Sequence, residues 1–222
     1  MLGLKSIKFC LVILILFNYY QIHAQKKGFE VGFRLNLNIF GMYGKDKKIY
    51  IVDTNKTSGG IGFPFGPFVY MEITPKNYGI IEILYSQKGS FYTSKKWYNF
   101  SNREGIGLNY IEIPLIYGRK VDNVLDGKSI QIGLSYSKLI AINANYKDLS
   151  KRLNTLALSN FKNYDLSFLI GLMTPIDRIW MSDKKKCHYL FLNSRLSSSI
   201  LSVHKTYKLY NFSLYTGIIY LI

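Results

Sequence analysis

Eight ionisable residues stand at positions where a side chain of that kind ought to be costly: Glu30, Arg34, Glu72, Glu82, Lys88, Glu112, Asp165 and Arg195 each lie within an otherwise apolar segment. Carboxylates and guanidinium groups gathered in one enclosed space can pair, line a polar path or hold a ligand. An unpaired buried charge is too expensive to keep, so pairing is the default. The expected network is Arg34, Glu82, Glu112 and Arg195, with Glu82 and Glu112 from adjacent strands meeting Arg34 or Arg195.

Other chemistry is thinly supported. His204 shares a segment with Ser197 to Ser199, Ser202 and Lys205, and a serine beside a histidine is the minimum of an acyl-transfer site. No GxSxG elbow exists and no acid is placed to orient His204, so no enzyme and no catalytic residue is expected. Cys187 and His188 form too small a set for a metal, which wants three or four ligands. No metal and no cofactor is expected.

The charged residues are set by a two-residue rhythm. From Phe29 to Ile39 the odd positions Phe29, Val31, Phe33, Leu35, Leu37 and Ile39 are apolar and the even ones polar or small. At the other end Phe212, Leu214, Ile218, Tyr220 and Ile222 share one side. Alternation of this kind is a strand with one oily and one wet face. We read about eight strands, near 29–40, 60–74, 79–92, 105–120, 129–142, 161–174, 189–201 and 209–222. Each is close to the roughly ten residues that a tilted strand needs to cross a membrane. Long and short connections alternate, with a tight turn at Pro75 to Asn77. The fold class is therefore all-β, a single antiparallel up-and-down transmembrane β-barrel of about eight strands, charged positions inward and alternate residues such as Ile81, Ile113, Leu115, Phe168 and Ile170 toward lipid. Pro64, Pro67 and Pro114 fall within strands, and a bulge or distorted pairing is expected near Pro64 to Pro67 because proline has no ladder donor.

The first residues have the order of a secretory signal: Lys5 and Lys8, the apolar run Phe9 to Phe17, then Ile22, His23 and Ala24. Cleavage after Ala24 gives a signal peptide over 1–24 and a barrel domain over 25–222. Cys10 leaves with the leader, so neither a disulfide framework nor a cysteine zinc site is available. The chain is 48% hydrophobic and 16% aromatic, with 19 Tyr and 14 Phe spread through the strands, which suits aromatic girdles at two interfaces. Its formal charge is +16, and much of the excess falls in presumed loops (Lys45, Lys47, Lys48, Lys56; Lys95, Lys96, Arg103; Lys147, Lys151, Arg152). Export makes nucleic acid a poor partner. The partners expected are outer membrane lipid and lipopolysaccharide, the barrel-assembly machinery and secretion-system proteins.

Two segments add a resemblance. IIEILYSQKGSFY and LNYIEIPLIYG, flanked by FEVGFRLNLNIF and SIQIGLSYSKLI, resemble successive strands of the PorT-like outer membrane β-barrel family of Bacteroidetes. In that family a PELLYSQKG-like segment is followed after one loop by an NYIEIPL-like one. The chain departs from it at Ile81, which replaces a frequent proline before Glu82. The resemblance implies a barrel in the outer membrane and no particular activity, although the family's founding member is linked to protein secretion; it carries no catalytic residue. Two rival readings remain open: a narrow solute transporter or ligand-binding barrel, and a secreted soluble lipocalin-like barrel with its apolar face turned inward.

Overall fold

The computed structural model describes residues 28–45, 57–93, 103–121, 128–145, 160–176 and 190–222. The expected leader, Cys187, His188 and most of the basic loop residues lie outside them. Eleven antiparallel segments make one sheet: β1 (Phe29–Tyr43), β2 (Thr57–Ser58), β3 (Gly60–Gly62), β4 (Phe65–Thr74), β5 (Asn77–Glu82), β6 (Leu84–Thr93), β7 (Arg103–Lys120), β8 (Ser129–Asn145), β9 (Tyr164–Pro175), β10 (Leu190–Ser199) and β11 (Tyr210–Leu221).

These segments form eight staves. β1 meets β3 at Asn38 and Gly62 and β4 at Leu35 and Phe65 in one continuous register, so β3 and β4 are a single wall strand, which β2 prolongs. In the same way β7 meets β5 at Leu115 and Ile81 and β6 at Glu112 and Leu84. The ring closes where β1 pairs with β11 from Gly32–Leu221 to Tyr43–Tyr210.

Closure fixes the geometry. From Phe29 the cross-strand partners run through Met71, Gly79, Tyr117, Ile132, Ile170, Leu196 and Leu214 and return to β1 at Ile39, ten residues beyond the start. With strands near 4.8 Å apart and a rise of about 3.3 Å per residue, eight strands with this stagger tilt by about 40° and enclose a cylinder about 16 Å across. That bore is one that side chains fill.

The path just traced lies on the outside wall and is apolar at every position but Gly79. Phe33 and Leu35 are 45% and 57% exposed, whereas Arg34 between them is 1% exposed. The same inversion runs along β8, where Ile130, Ile132 and Leu134 are exposed and Gln131 and Ser135 are buried. Water would penalise so large a contiguous apolar surface, and hydrocarbon would not. The lipocalin-like alternative needs the opposite parity and is excluded by it. Tyrosines mark the two ends of the apolar belt: Tyr117 and Tyr220 near the short turns, Tyr43 and Tyr164 near the long loops.

At the prolines the expected distortion takes the form of lost pairing, without a bulge. Pairing lapses at Phe63 and Pro64, and Ile83 interrupts the next stave, yet the registers on either side of both breaks agree and no bulge falls there. Asn36 N–H donates to the Pro64 carbonyl at 2.9 Å, and Ile83 N–H to the Pro67 carbonyl at 3.0 Å, so acceptors survive where donors are missing. Bulges occur instead between Glu72 and Thr74 and between Asn109 and Tyr110. The sixth stave also starts later than expected, at Tyr164, because Phe161 makes an isolated bridge to His204.

Candidate functional site

The lumen is built in three layers. At the short-turn end Phe68, Tyr70, Tyr78, Ile80, Ile116 and Met173 pack with Ile219 and Leu221. At the long-loop end Met42, Ile106, Leu108, Tyr110, Phe161, Val203 and Leu209 make a second apolar cluster. Charge is confined between them. Arg34, Lys88 and Arg195 face Glu82, Glu112 and Asp165, all of them buried, so among the described residues the formal charge of the buried lumen balances.

Glu82 is the centre of one half. Arg34 from β1 and Arg195 from β10 both donate through Nη1 to its Oε2, at 3.0 Å and 2.9 Å. β5 carries Glu82 on its lumen face, and Gly171 on β9 leaves room for the Arg195 side chain, whose Cγ a β-carbon there would meet. Arg195 Nε donates to Gln131 Oε1 at 2.9 Å, which also accepts from Asn193 Nδ2 at 2.8 Å. Gln131 Nε2 then donates to the Tyr78 hydroxyl at 3.1 Å, and that hydroxyl donates to Ser129 at 2.7 Å. A chain of side-chain bonds thus links the charged layer to the apolar cluster below. Replacing Gln131 by Leu strips the acceptor from Arg195 Nε and Asn193 at once. The expected cost is about 1–3 kcal/mol, read as a lower urea midpoint for the barrel refolded in micelles.

Glu112 departs from the expected pairing. It meets neither arginine; its partner is Lys88, at 3.7 Å, and it accepts from the Ser135 hydroxyl at 2.7 Å and from the Tyr215 hydroxyl at 3.2 Å. Lys88 also reaches Asp165 at 3.3 Å and Ser137 at 3.1 Å and lies 5.3 Å from the centre of the Tyr110 ring. Asn211 Nδ2 donates to the same Asp165 oxygen at 3.1 Å. Parity had placed Lys88 and Asp165 inside, but their pairing follows from the stagger of the ring, which no local segment shows. Glu30 and Glu72 share the lumen parity but fall at the barrel mouth and are exposed.

His204 serves the fold of the last loop. Its Nδ1 accepts the backbone N–H groups of Thr206 and Tyr207 at 3.1 Å and 3.0 Å, and the Ser202 hydroxyl donates to the Tyr207 carbonyl at 2.6 Å. A nitrogen occupied in this way is not a base for Ser202. Burial, then Lys205 close by, lowers the imidazole pKa below its ordinary 6.5, so the unfolded chain takes up the proton first. The loop's contribution is therefore complete above pH 6.5 and is lost as pH falls through the depressed folded value. Protection of the Thr206 and Tyr207 amides against hydrogen exchange should drop over that interval, and His204→Gln should flatten the dependence.

No family model and no curated protein sequence matches the chain. Among solved structures it is similar to Ail, the attachment invasion locus protein of Yersinia pestis, with 11% identity over 88% of this chain and 99% of that one and a TM-score of 0.44. It is similar to Neisserial surface protein A with 9% identity, 87% and 97% coverage and a TM-score of 0.46. AlkL, an outer membrane protein determined in DMPC bilayers, gives 11% identity, 88% and 90% coverage and a TM-score of 0.42. Likeness at this level carries no weight here; the barrel rests on its own closed ring of registers.

Proposed function

We propose that this chain is an integral outer membrane β-barrel with a closed lumen and an accessory or structural role. The observation that carries the reading is the inversion of the wall: a continuous apolar exterior around a neutralised set of six buried charges, sealed above and below by apolar side chains. A solute path would have to part Arg34 and Arg195 from Glu82 and displace both clusters. The basic loops would face glycolipid phosphate outside, and the barrel-assembly machinery would insert the chain. The PorT-like segments, around Glu82 and Glu112, support the narrower reading of a secretion accessory.

Two measurements test this. Purified protein should be silent in planar bilayers; a steady conductance that vanishes in Glu112→Gln or Arg34→Gln would replace the closed barrel with the transporter. Deletion of the gene should block export of secreted cargo, and normal secretion in the deletion strain would remove the accessory role while leaving the barrel in place.

A further inference from the structure

The outer wall is uneven at one point. Gly79 sits in the exterior row between its cross-strand partners Met71 and Tyr117, and its missing side chain leaves a groove of about 530 Å³. Ile73, Ile81, Leu115, Ile132 and Phe168 line the groove with apolar surface. A β-carbon added at Gly79 would meet the terminal methyl of Met71 at 3.3 Å and the Ile116 carbonyl and Ile73 at 3.9 Å, so a side chain fits there once the flexible Met71 methyl gives by a few tenths of an ångström.

Cations stand where the groove reaches the short-turn end. Arg119 continues the exterior row of Leu115 and Tyr117 and is exposed. The Tyr117 hydroxyl donates to Asn77 Oδ1 at 2.8 Å and fixes that ring at the rim. Lys120 N–H donates to the Lys76 carbonyl at 2.8 Å, and Val121 N–H to the Lys128 carbonyl at 2.9 Å, which brings two adjacent turns together and sets half-buried Lys128 on the same face as Arg119, whereas Lys120, opposite Ser129, takes the lumen parity. Lys76 occupies the same corner with a contact of its own, and the site does not depend on it. Among the described residues the carboxylates of this end are Glu30 and Glu72, which take the lumen side of the wall.

We propose that this surface is a binding site for one anionic phospholipid of the periplasmic leaflet, with an acyl chain along the Gly79 groove and the phosphate against Arg119 and Lys128. The inference rests on the membrane reading above. Apolar surface alone would accept any lipid tail; the cations at one end supply a preference for net negative charge. A zwitterionic headgroup returns most of that gain through its own ammonium.

Native mass spectrometry of the full-length protein, released from nanodiscs holding equal phosphatidylglycerol and phosphatidylethanolamine of the same acyl chains, tests the site. Wild type should retain phosphatidylglycerol preferentially. Arg119→Gln should reduce that preference about fivefold, the worth of one cation near a lipid surface, and leave phosphatidylethanolamine retention unchanged. Gly79→Leu, which fills the groove, should lower retention of both. Equal retention of the two lipids by wild type, or retention untouched by Gly79→Leu, would overturn the proposal. Each protein is also run boiled and unboiled on a gel: a wild type that shows no heat-modified band and does not enter the discs would sink the barrel reading itself, a failure distinct from loss of lipid preference in a folded barrel.

Discussion

Replacing Glu82 by Ala should lower the stability of the folded barrel by about 3–5 kcal/mol, the usual cost of stranding one side of a buried ion pair. The effect belongs at the upper end because two guanidinium groups lose their shared carboxylate together. Arg34 and Arg195 both bond Glu82 Oε2, and both are within 3% of full burial. Neither can swing to Glu112, which is held by Lys88, Ser135 and Tyr215. Urea titration of heat-modifiability in lipid vesicles gives the number. Removing all three charges, as Glu82→Leu with Arg34→Leu and Arg195→Met, should recover most of the loss, since a buried ionic cluster is often no better than apolar side chains of similar volume. Failure of the triple variant to improve on Glu82→Ala would mean that the space, rather than the charge, was what Glu82 supplied.

The second large effect is on the outer face of β1, the strand that carries Arg34. Leu35→Arg should cost about 2–4 kcal/mol, as for a cation near the middle of the hydrocarbon, whereas Phe29→Arg at the rim of the belt should cost about 0–1 kcal/mol. The contrast with Arg34 is the point of the experiment. One residue along the chain, the native guanidinium is 1% exposed beside Glu82, while Leu35 is 57% exposed on the outer wall. A soluble barrel would tolerate Leu35→Arg at an exposed site without measurable loss.

What the sequence made legible was parity. The alternation in FEVGFRLNLNIF is local, and it placed Arg34, Asn36 and Asn38 inside and Phe33, Leu35 and Leu37 outside, as found. The strand count was legible for a similar reason, because turn residues punctuate the rhythm. Partnership within the lumen was not. Lys88 stands opposite Leu108 and reaches Glu112 along the lumen through its long side chain, and Asp165 joins them because β8 places Ser137 opposite both Glu112 and Asp165. These offsets accumulate around a closed ring, and an error of two residues at any hairpin preserves parity while changing every cross-lumen contact. The prolines were legible as a local break in pairing, and the form of the break was not. A bulge or distorted pairing was open at Pro64 to Pro67, and the lapse without a bulge follows because a missing donor only deletes a bond when the carbonyls on each side are still used, as those of Pro64 and Pro67 are. His204 was readable as a loop residue, whereas the two backbone amides that occupy its Nδ1 depend on the turn after it.

The orientation of the wall can be read directly by photolabelling with a diazirine carried on a lipid acyl chain, followed by mass spectrometry of β1. Carbene insertion is predicted at Phe33, Leu35, Leu37 and Ile39, with Arg34, Asn36 and Asn38 left unmarked. Label on the arginine and asparagines, or an unlabelled strand in a protein that carbonate washes from the membrane, would contradict it.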